Sequence, residues 1–492
     1  MTETAKKKRG MPSSFTILLA LLAIVAVITV IVSGTSGGAV TAARLSDFCT
    51  APILGFADAL PVCLFVMILG GFLGMMTETG ALDNGIAVLV QKLKGNEIML
   101  IPVLMLIFSL GGTTYGMCEE TVPFYALLAA TMMAAGFDPM VGAATVLLGA
   151  GCGCLGSTVN PFAVGAAVDA LTGVGIEVNQ SIIIGLGAVL WIVTTAMSIV
   201  FVMNYAKKVK ADKGSTILSM QELKDAEEAH GKAASEVHKE VKLTGRQKGV
   251  LIAFAFTFVV MIVGFIPLAD LYDGFANFID AGAVYYADGN AVVQGWSALI
   301  TGLPIGQWYF DEASTWFFLM AVLIGIIGGL SEKQIVNTFI TGAADMMSVV
   351  LVIALARGIS VLMANTGLDV YVLDAAANAL AGLSGVIFAP MSFLVYFGLS
   401  FLIPSTSGMA TVSMPIMGPL AVKLGFSPEV MVMIFSAAIG VVNLFTPTSG
   451  AIMGGLALAK IEWTTWLKFA LKLIVALSVV CAVILTVACV LL

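Results

Sequence analysis

Two stretches of this chain are apolar enough for a membrane interior and are nevertheless broken by polar, helix-disfavouring clusters. The first, 111–170, carries Gly111-Gly112-Thr113-Thr114-Tyr115-Gly116, then Glu119 and Glu120, and further on Gly156-Ser157-Thr158-Val159-Asn160-Pro161. The second, 401–461, carries Pro404-Ser405-Thr406-Ser407-Gly408 and then Asn443, Thr446-Pro447-Thr448-Ser449-Gly450. Backbone that leaves the helix at membrane depth needs partners in protein, water or ligand, so it is tolerated where it lines a cavity. Paired breaks of this kind point to a binding site made of helix ends.

The two stretches are copies. Gly136-Phe137-Asp138-Pro139 returns as Gly425-Phe426-Ser427-Pro428, and Ser157-Thr158-Val159-Asn160 as Thr446-Pro447-Thr448-Ser449, both displaced by 289 positions. Thr113-Thr114-Tyr115-Gly116 pairs with Ser405-Thr406-Ser407-Gly408, and Thr79-Gly80 with Thr366-Gly367. Four pairs in the same order indicate a duplicated unit.

The whole chain has 492 residues, of which 59% are hydrophobic and 11% charged, a balance that belongs to integral helical membrane proteins. The charges sit in loops, and the net charge of −7 offers no basic face for nucleic acid. The seven cysteines lie in or beside apolar segments, so Cys152-Gly-Cys154 reads as small residues at a close helix contact, and both histidines fall in one polar loop. Metal catalysis has no support. Nor does the chain carry a nucleophile elbow, an HExxH or a P-loop, which argues against an enzyme and an ATP-driven pump. A channel would need a continuous polar lining, whereas here polarity is confined to discrete clusters.

Loop charges set the expected topology. Residues 1–13 form a basic, cytoplasmic N-terminus ahead of membrane repeat one, 14–205, which includes spans over 14–33 and 53–76. Residues 206–248 carry ten Lys and Arg and read as a cytoplasmic charged loop, with 249–267 as a linking transmembrane helix. Residues 268–313 carry acids and no Lys or Arg, hence an external acidic loop, before membrane repeat two with its C-terminal helix, 314–492. The copies therefore start on opposite sides. The expectation is an all-α polytopic membrane protein, multi-pass in the cell (inner or plasma) membrane. Its core is an inverted-topology repeat with two re-entrant hairpins and two broken transmembrane helices.

The hydroxyl and amide clusters are the candidate site. Thr113, Thr114, Asn160, Ser405, Thr406 and Ser407 are the substrate-binding candidates at tips and breaks. Ser157, Thr158, Asn160, Thr446, Thr448 and Ser449 are the oxygen ligands available to Na⁺. Glu119 and Glu120, just past a hairpin tip, suit a cationic substrate or a coupling proton; alternatively one of them pairs with a buried cation. Arg357, near the middle of a span, is the cation available for that pairing, or it clamps a substrate carboxylate itself. Asp58 and Asp169 are further acids placed near an interface.

The runs GGTTYGMCEETVPFYALL, GAGCGCLGSTVNPFAVG, SEKQIVNTFITGAADMMSVVLVIALARGISVLM and FLIPSTSGMATVSMPIMGPL resemble the YfcC family of C4-dicarboxylate anaerobic carrier-like proteins, within the ion-transporter superfamily. The resemblance implies secondary transport of a small molecule by alternating access, often as a homodimer in the bilayer. It places the substrate between two hairpin tips and two broken helices. Family members are labelled basic amino acid antiporters, which makes arginine- or ornithine-type exchange the expected function; a Na⁺- or H⁺-coupled C4-dicarboxylate carrier is the alternative. No cofactor is implied beyond Na⁺ or H⁺ as a coupling ion. Related carriers bind Na⁺ with Ser-Asn-Thr motifs, from which Ser157-Thr158-Val159-Asn160 and Thr446-Pro447-Thr448-Ser449 depart.

Overall fold

Every long apolar run forms a helix, since a helix satisfies its own backbone polar groups where no water is available. The computed structural model describes residues 14–82, 84–85, 88, 96–236, 242–266, 274, 278–279, 284–287, 290–293, 296–403 and 405–492. Among these, eight helices are long and apolar enough to cross a membrane. The basic N-terminus, part of the acidic loop and part of the stretch following Glu78 lie outside the described residues.

Repeat one begins with α1 (Ser14–Ser33), α2 (Leu45–Asp58) and α3 (Leu60–Glu78). A hairpin follows, α4 (Leu100–Tyr115) and α5 (Val122–Ala134), then α6 (Pro139–Leu155), a break, and α7 (Ala166–Thr172). The long α8 (Gln180–Ala211), the charged α9 (Met220–Glu236) and α10 (Gly245–Phe265) connect the copies. Repeat two contains α11 (Phe310–Gly328), α12 (Glu332–Asp345), α13 (Met347–Thr366) and α14 (Leu368–Leu380). Its hairpin is α15 (Gly385–Leu402) and α16 (Thr406–Lys423), its broken helix α17 (Pro428–Val442) and α18 (Gly450–Leu458), and α19 (Trp463–Leu491) ends it.

Three details differ from the hydropathy reading. The single span expected over 53–76 is two helices, α2 and α3, joined at Ala59, because Pro61 in the first turn of α3 cannot continue the ladder of α2. Helix α12, amphipathic and flanked by charges, is invisible to a search for apolar runs. The acidic loop contributes one element that is not helical, an antiparallel hairpin of Val284–Ala287 and Asn290–Val293.

Helix α8 measures the inversion. Asp138 caps α6, accepting from the Val141 N–H, and Ser427 caps α17 at the equivalent position, accepting from Val430. The Asp138 carboxylate accepts from the Tyr205 hydroxyl at 2.6 Å, near the C-terminal end of α8. Glu429, beside Ser427, accepts from the Asn179 N–H at 2.8 Å, at the other end of α8. Those anchors are about 39 Å apart at 1.5 Å per residue, so the equivalent broken helices start on opposite faces of the membrane.

Both hairpins are re-entrant. The first enters and leaves beside the C-terminal end of α8, through a Glu97–Lys210 ion pair of 2.7 Å and the Asp138–Tyr205 bond. The second has its open end on the far face, where Phe388 stacks on Phe426. Helix α9 docks on the first face: His230 Nε2 donates to the Leu458 carbonyl at 3.0 Å, and Glu222 accepts from the Glu462 N–H at 2.9 Å. Burial holds the His230 imidazole below its ordinary pKa.

The broken helices cross through glycine. A Cβ on Gly151 would strike the Leu444 side chain, and one on Gly440 would strike the backbone of Leu155. These contacts are the same contact seen from each repeat, since 151 and 440, like 155 and 444, differ by 289. They bring the two breaks against one another.

Gly440→Ala is expected to destabilise by about 1–3 kcal/mol, because the new methyl meets backbone that cannot yield. Gly151→Ala should cost less, since it meets only the flexible end of a leucine. Thermal unfolding of the two detergent-purified variants checks the order.

Candidate functional site

The two hairpin tips and the two breaks, approaching from opposite faces, converge on a cavity of about 180 Å³. From the first tip it is lined by Gly116, Glu119 and Thr121, and from the second by Ser405, Thr406 and Ser407. Asn160 from the first break, Ser436 from α17, Asn443, Thr448 and Ser449 from the second break, and Arg357 from α13 add to its polar surface.

The local chemistry of each tip explains its shape. Gly116 ends α4 with φ +80°, and its N–H bonds the Gly112 carbonyl at 3.1 Å. A side chain there would collide with the Asn160 amide, so glycine lets the tip sit on the break. Ser405 caps α16, its hydroxyl accepting from the Gly408 N–H at 3.1 Å.

The candidate residues divide by what their polar atoms already do. Thr113 is buried and stitches the first tip to the first break: its hydroxyl donates to the Gly156 carbonyl at 2.7 Å, and its carbonyl accepts from the Thr158 N–H at 2.9 Å. The Thr158 hydroxyl adds a bond to the same carbonyl at 3.0 Å. Ser157 donates to the Cys154 carbonyl at 2.6 Å and accepts from Asn160 Nδ2 at 2.9 Å. Thr114 bonds back to the Leu110 carbonyl of its own helix. Thr446 is buried and shares a 2.7 Å hydroxyl–hydroxyl bond with Thr448. Thus Thr113, Thr114, Ser157, Thr158 and Thr446 do not line the cavity, whereas Asn160, Ser405, Thr406, Ser407, Thr448 and Ser449 do. Asn160 does both: its Oδ1 caps the second half-helix by accepting from Phe162 and Ala163, and the residue is part of the cavity wall.

The charged candidates separate as well. Glu120 is buried and turns back on the tip, accepting from the Cys118 N–H at 3.0 Å. Glu119 faces the cavity. Arg357 also faces it, but the pairing weighed between Arg357 and a glutamate is not the one formed. Its Nε lies 2.6 Å from Asp58 Oδ2, at the end of α2. The α2–α3 junction that brings Asp58 there is the feature an unbroken 53–76 span concealed. Asp169 sits on α7 and does not line the cavity.

Two tryptophans complete the second break. The Leu444 carbonyl accepts from Trp466 Nε1 at 2.8 Å and the Phe445 carbonyl from Trp463 Nε1 at 2.7 Å. Unpaired, each carbonyl would cost several kcal/mol at membrane depth. The signal was present as Trp463-Thr-Thr-Trp466 at the start of the last span, on one helix face, though it reads equally as an interfacial anchor.

Re-entrant tips and broken helices meeting at a polar cavity inside a multi-pass helical protein define a membrane transporter. The chain belongs to the C4-dicarboxylate anaerobic carrier (DcuC) family, whose family model matches residues 39–490. Its relatives include an uncharacterized protein of Haemophilus influenzae, 28% identical over 90% of this chain and 78% of that one. They also include YfcC of Escherichia coli K12, provisionally named a basic amino acid antiporter, 27% identical over 87% of this chain and 77% of that one. Among solved structures it is similar to MtrF of Neisseria gonorrhoeae, from a class of antimetabolite efflux pumps, with 17% identity, TM-score 0.45 and coverage of 98% and 96%. It is also similar to the YdaH transporter of Alcanivorax borkumensis, with 15% identity, TM-score 0.46 and coverage of 96% and 97%. The family is one of carriers, and the chain is a transporter rather than an enzyme.

Trp466→Phe removes one N–H and keeps most of the ring, leaving the Leu444 carbonyl unpaired. We expect a loss of about 1–3 kcal/mol. Trp466 is buried and Trp463 only half-buried, so Trp463→Phe should lose less. Parallel melting curves test both.

Proposed function

We propose that the chain is a secondary active transporter that exchanges basic amino acids of the arginine or ornithine type by alternating access. The observation that carries this reading is the charge around the cavity. Arg357 is accompanied by Asp58, and among the described residues Glu119 forms no ion pair of its own. Counting Glu119 as ionised and leaving out Glu120, which turns away, the charges at the site sum to one negative in excess. A substrate of net charge +1 cancels it, whereas a dicarboxylate would bring the total to about −3 and leave buried charge uncompensated.

An amino acid also fits the distribution of partners. Its cationic end suits Glu119. Its carboxylate suits the freed N–H groups at the N-termini of α16 and α18, whose N-cap residues Ser405 and Ser449 lie on the cavity wall. Tips anchored on opposite faces supply the two gates that exchange requires. The face bearing α9 is assigned to the cytoplasm of a cell-membrane protein, on the strength of the ten cations in 206–248.

The second reading is a C4-dicarboxylate carrier, favoured by the exposure of Arg357 to the cavity. It would be coupled to H⁺, or to Na⁺ held by oxygens of Asn160, Thr448 and Ser449.

Counterflow in proteoliposomes separates the two. Labelled arginine or ornithine should enter only vesicles loaded with a basic amino acid. Glu119→Gln should weaken arginine exchange by about tenfold or more, the worth of one charge-assisted contact, and weaken a neutral analogue such as citrulline less. Asp58→Asn, which frees Arg357, should also weaken arginine. Succinate uptake driven by a Na⁺ or proton gradient, with no arginine exchange, would overturn the antiporter.

A further inference from the structure

The repeat makes the cavity comparable wall by wall. Leu147 and Ser436 occupy equivalent positions 289 apart, as do Cys154 and Asn443, and all four line the cavity. Repeat one thus presents a leucine and a thiol where repeat two presents a hydroxyl and an amide. Ser436 and Asn443 are seven residues apart on one helical path, two turns, so they face the same way.

Ser436 is unusual for a serine in a buried helix. Such hydroxyls ordinarily bond back one turn, as Thr145, Thr194 and Ser400 do with the carbonyls of Val141, Leu190 and Tyr396. The Ser436 hydroxyl is buried at 2% exposure and has no hydrogen-bond partner. Five other buried side-chain atoms among the described residues share that condition, on Trp191, Thr195, Ser314, Ser360 and Ser392, and none of those residues lines the cavity. An unpaired hydroxyl in this environment is costly, and where it lines a cavity a bound ligand can supply the missing partner.

We infer that Ser436 is a specificity residue of the transport site, hydrogen-bonding a polar group of the bound substrate on the repeat-two wall while Leu147 packs against the substrate's carbon skeleton opposite. The inference rests on the basic amino acid reading for the substrate's identity but not for the residue's role. A hydroxyl both donates and accepts, so it serves the ammonium or guanidinium of a basic amino acid or one oxygen of a carboxylate. The contrast between walls orients the substrate: hydrogen-bonding groups toward Ser436 and Asn443, methylenes toward Leu147.

The test is thermal unfolding of purified wild type and Ser436→Ala, each alone and titrated with arginine, ornithine and succinate, since a ligand bound only to the folded state raises the melting temperature according to its affinity. The inference expects unliganded Ser436→Ala to melt no lower than wild type, because the hydroxyl it loses is unpaired. It also expects apparent affinity for the stabilising ligand to fall by about tenfold or more. A lower melting temperature for the unliganded variant would show a hydroxyl used within the protein and overturn the proposal. So would an unchanged ligand response. Stabilisation of the wild type by succinate alone would overturn the basic amino acid reading, and the Ser436 comparison would then be decided with succinate. A wild type that responds to none of the three ligands overturns both.

Discussion

A peptide group that leaves its helix at membrane depth must be paired from within the protein, and the rest of this structure follows from how two broken helices meet that demand. At the first break the partner is a neighbouring hairpin: Thr113 reaches the Gly156 carbonyl and receives Thr158 in return. At the second break the partners are indoles from the next helix, Trp463 and Trp466. The breaks descend from one pattern, yet their unpaired backbone is satisfied by unrelated side chains.

That difference decides where the cavity is polar. In repeat one the hydroxyls of Thr113 and Thr158 are spent on holding tip and break together and that of Ser157 within the break, and Asn160 is what the break leaves at the surface. In repeat two the tryptophans take over the carbonyls, and Ser436, Asn443, Thr448 and Ser449 border the cavity. A pseudo-symmetric scaffold therefore carries an asymmetric site. Glycine at 151 and 440 lets the two breaks approach closely enough to share one cavity.

The inverted repeat also bears on movement. Each tip is tethered to a different face, the first beside α9 and the C-terminal end of α8, the second beside Asn179 and Glu429. Opening toward one face disturbs anchors that the other face does not share. With Glu119 on one tip and Arg357 held by Asp58 on a separate pair of helices, the charges of the site come from elements that are not continuous in the chain.

The sequence by itself determined the class of fold. Apolar runs interrupted at Gly116 and Asn160, and again at Ser405 and Ser449, can satisfy their backbone at membrane depth only as re-entrant hairpins and broken helices. Four motif pairs recurring in the same order made the duplication visible, and loop charge gave it opposite starting sides. Side-chain commitment was not legible there. Thr113 and Thr406 read alike as hydroxyls near a tip, but one is consumed by a carbonyl 43 residues away and the other borders the cavity. Two adjacent glutamates read as a pair, yet a single turn of backbone sends Glu119 to the cavity and Glu120 to the Cys118 N–H. Arg357 found Asp58, nearly 300 positions earlier, and Ser436 lay unmarked in an apolar helix. Only the tertiary structure decided these, because a hydrogen bond is local in space while its partners are distant in the chain. Periodicity records which faces are apolar. It does not record which polar atoms are already paired.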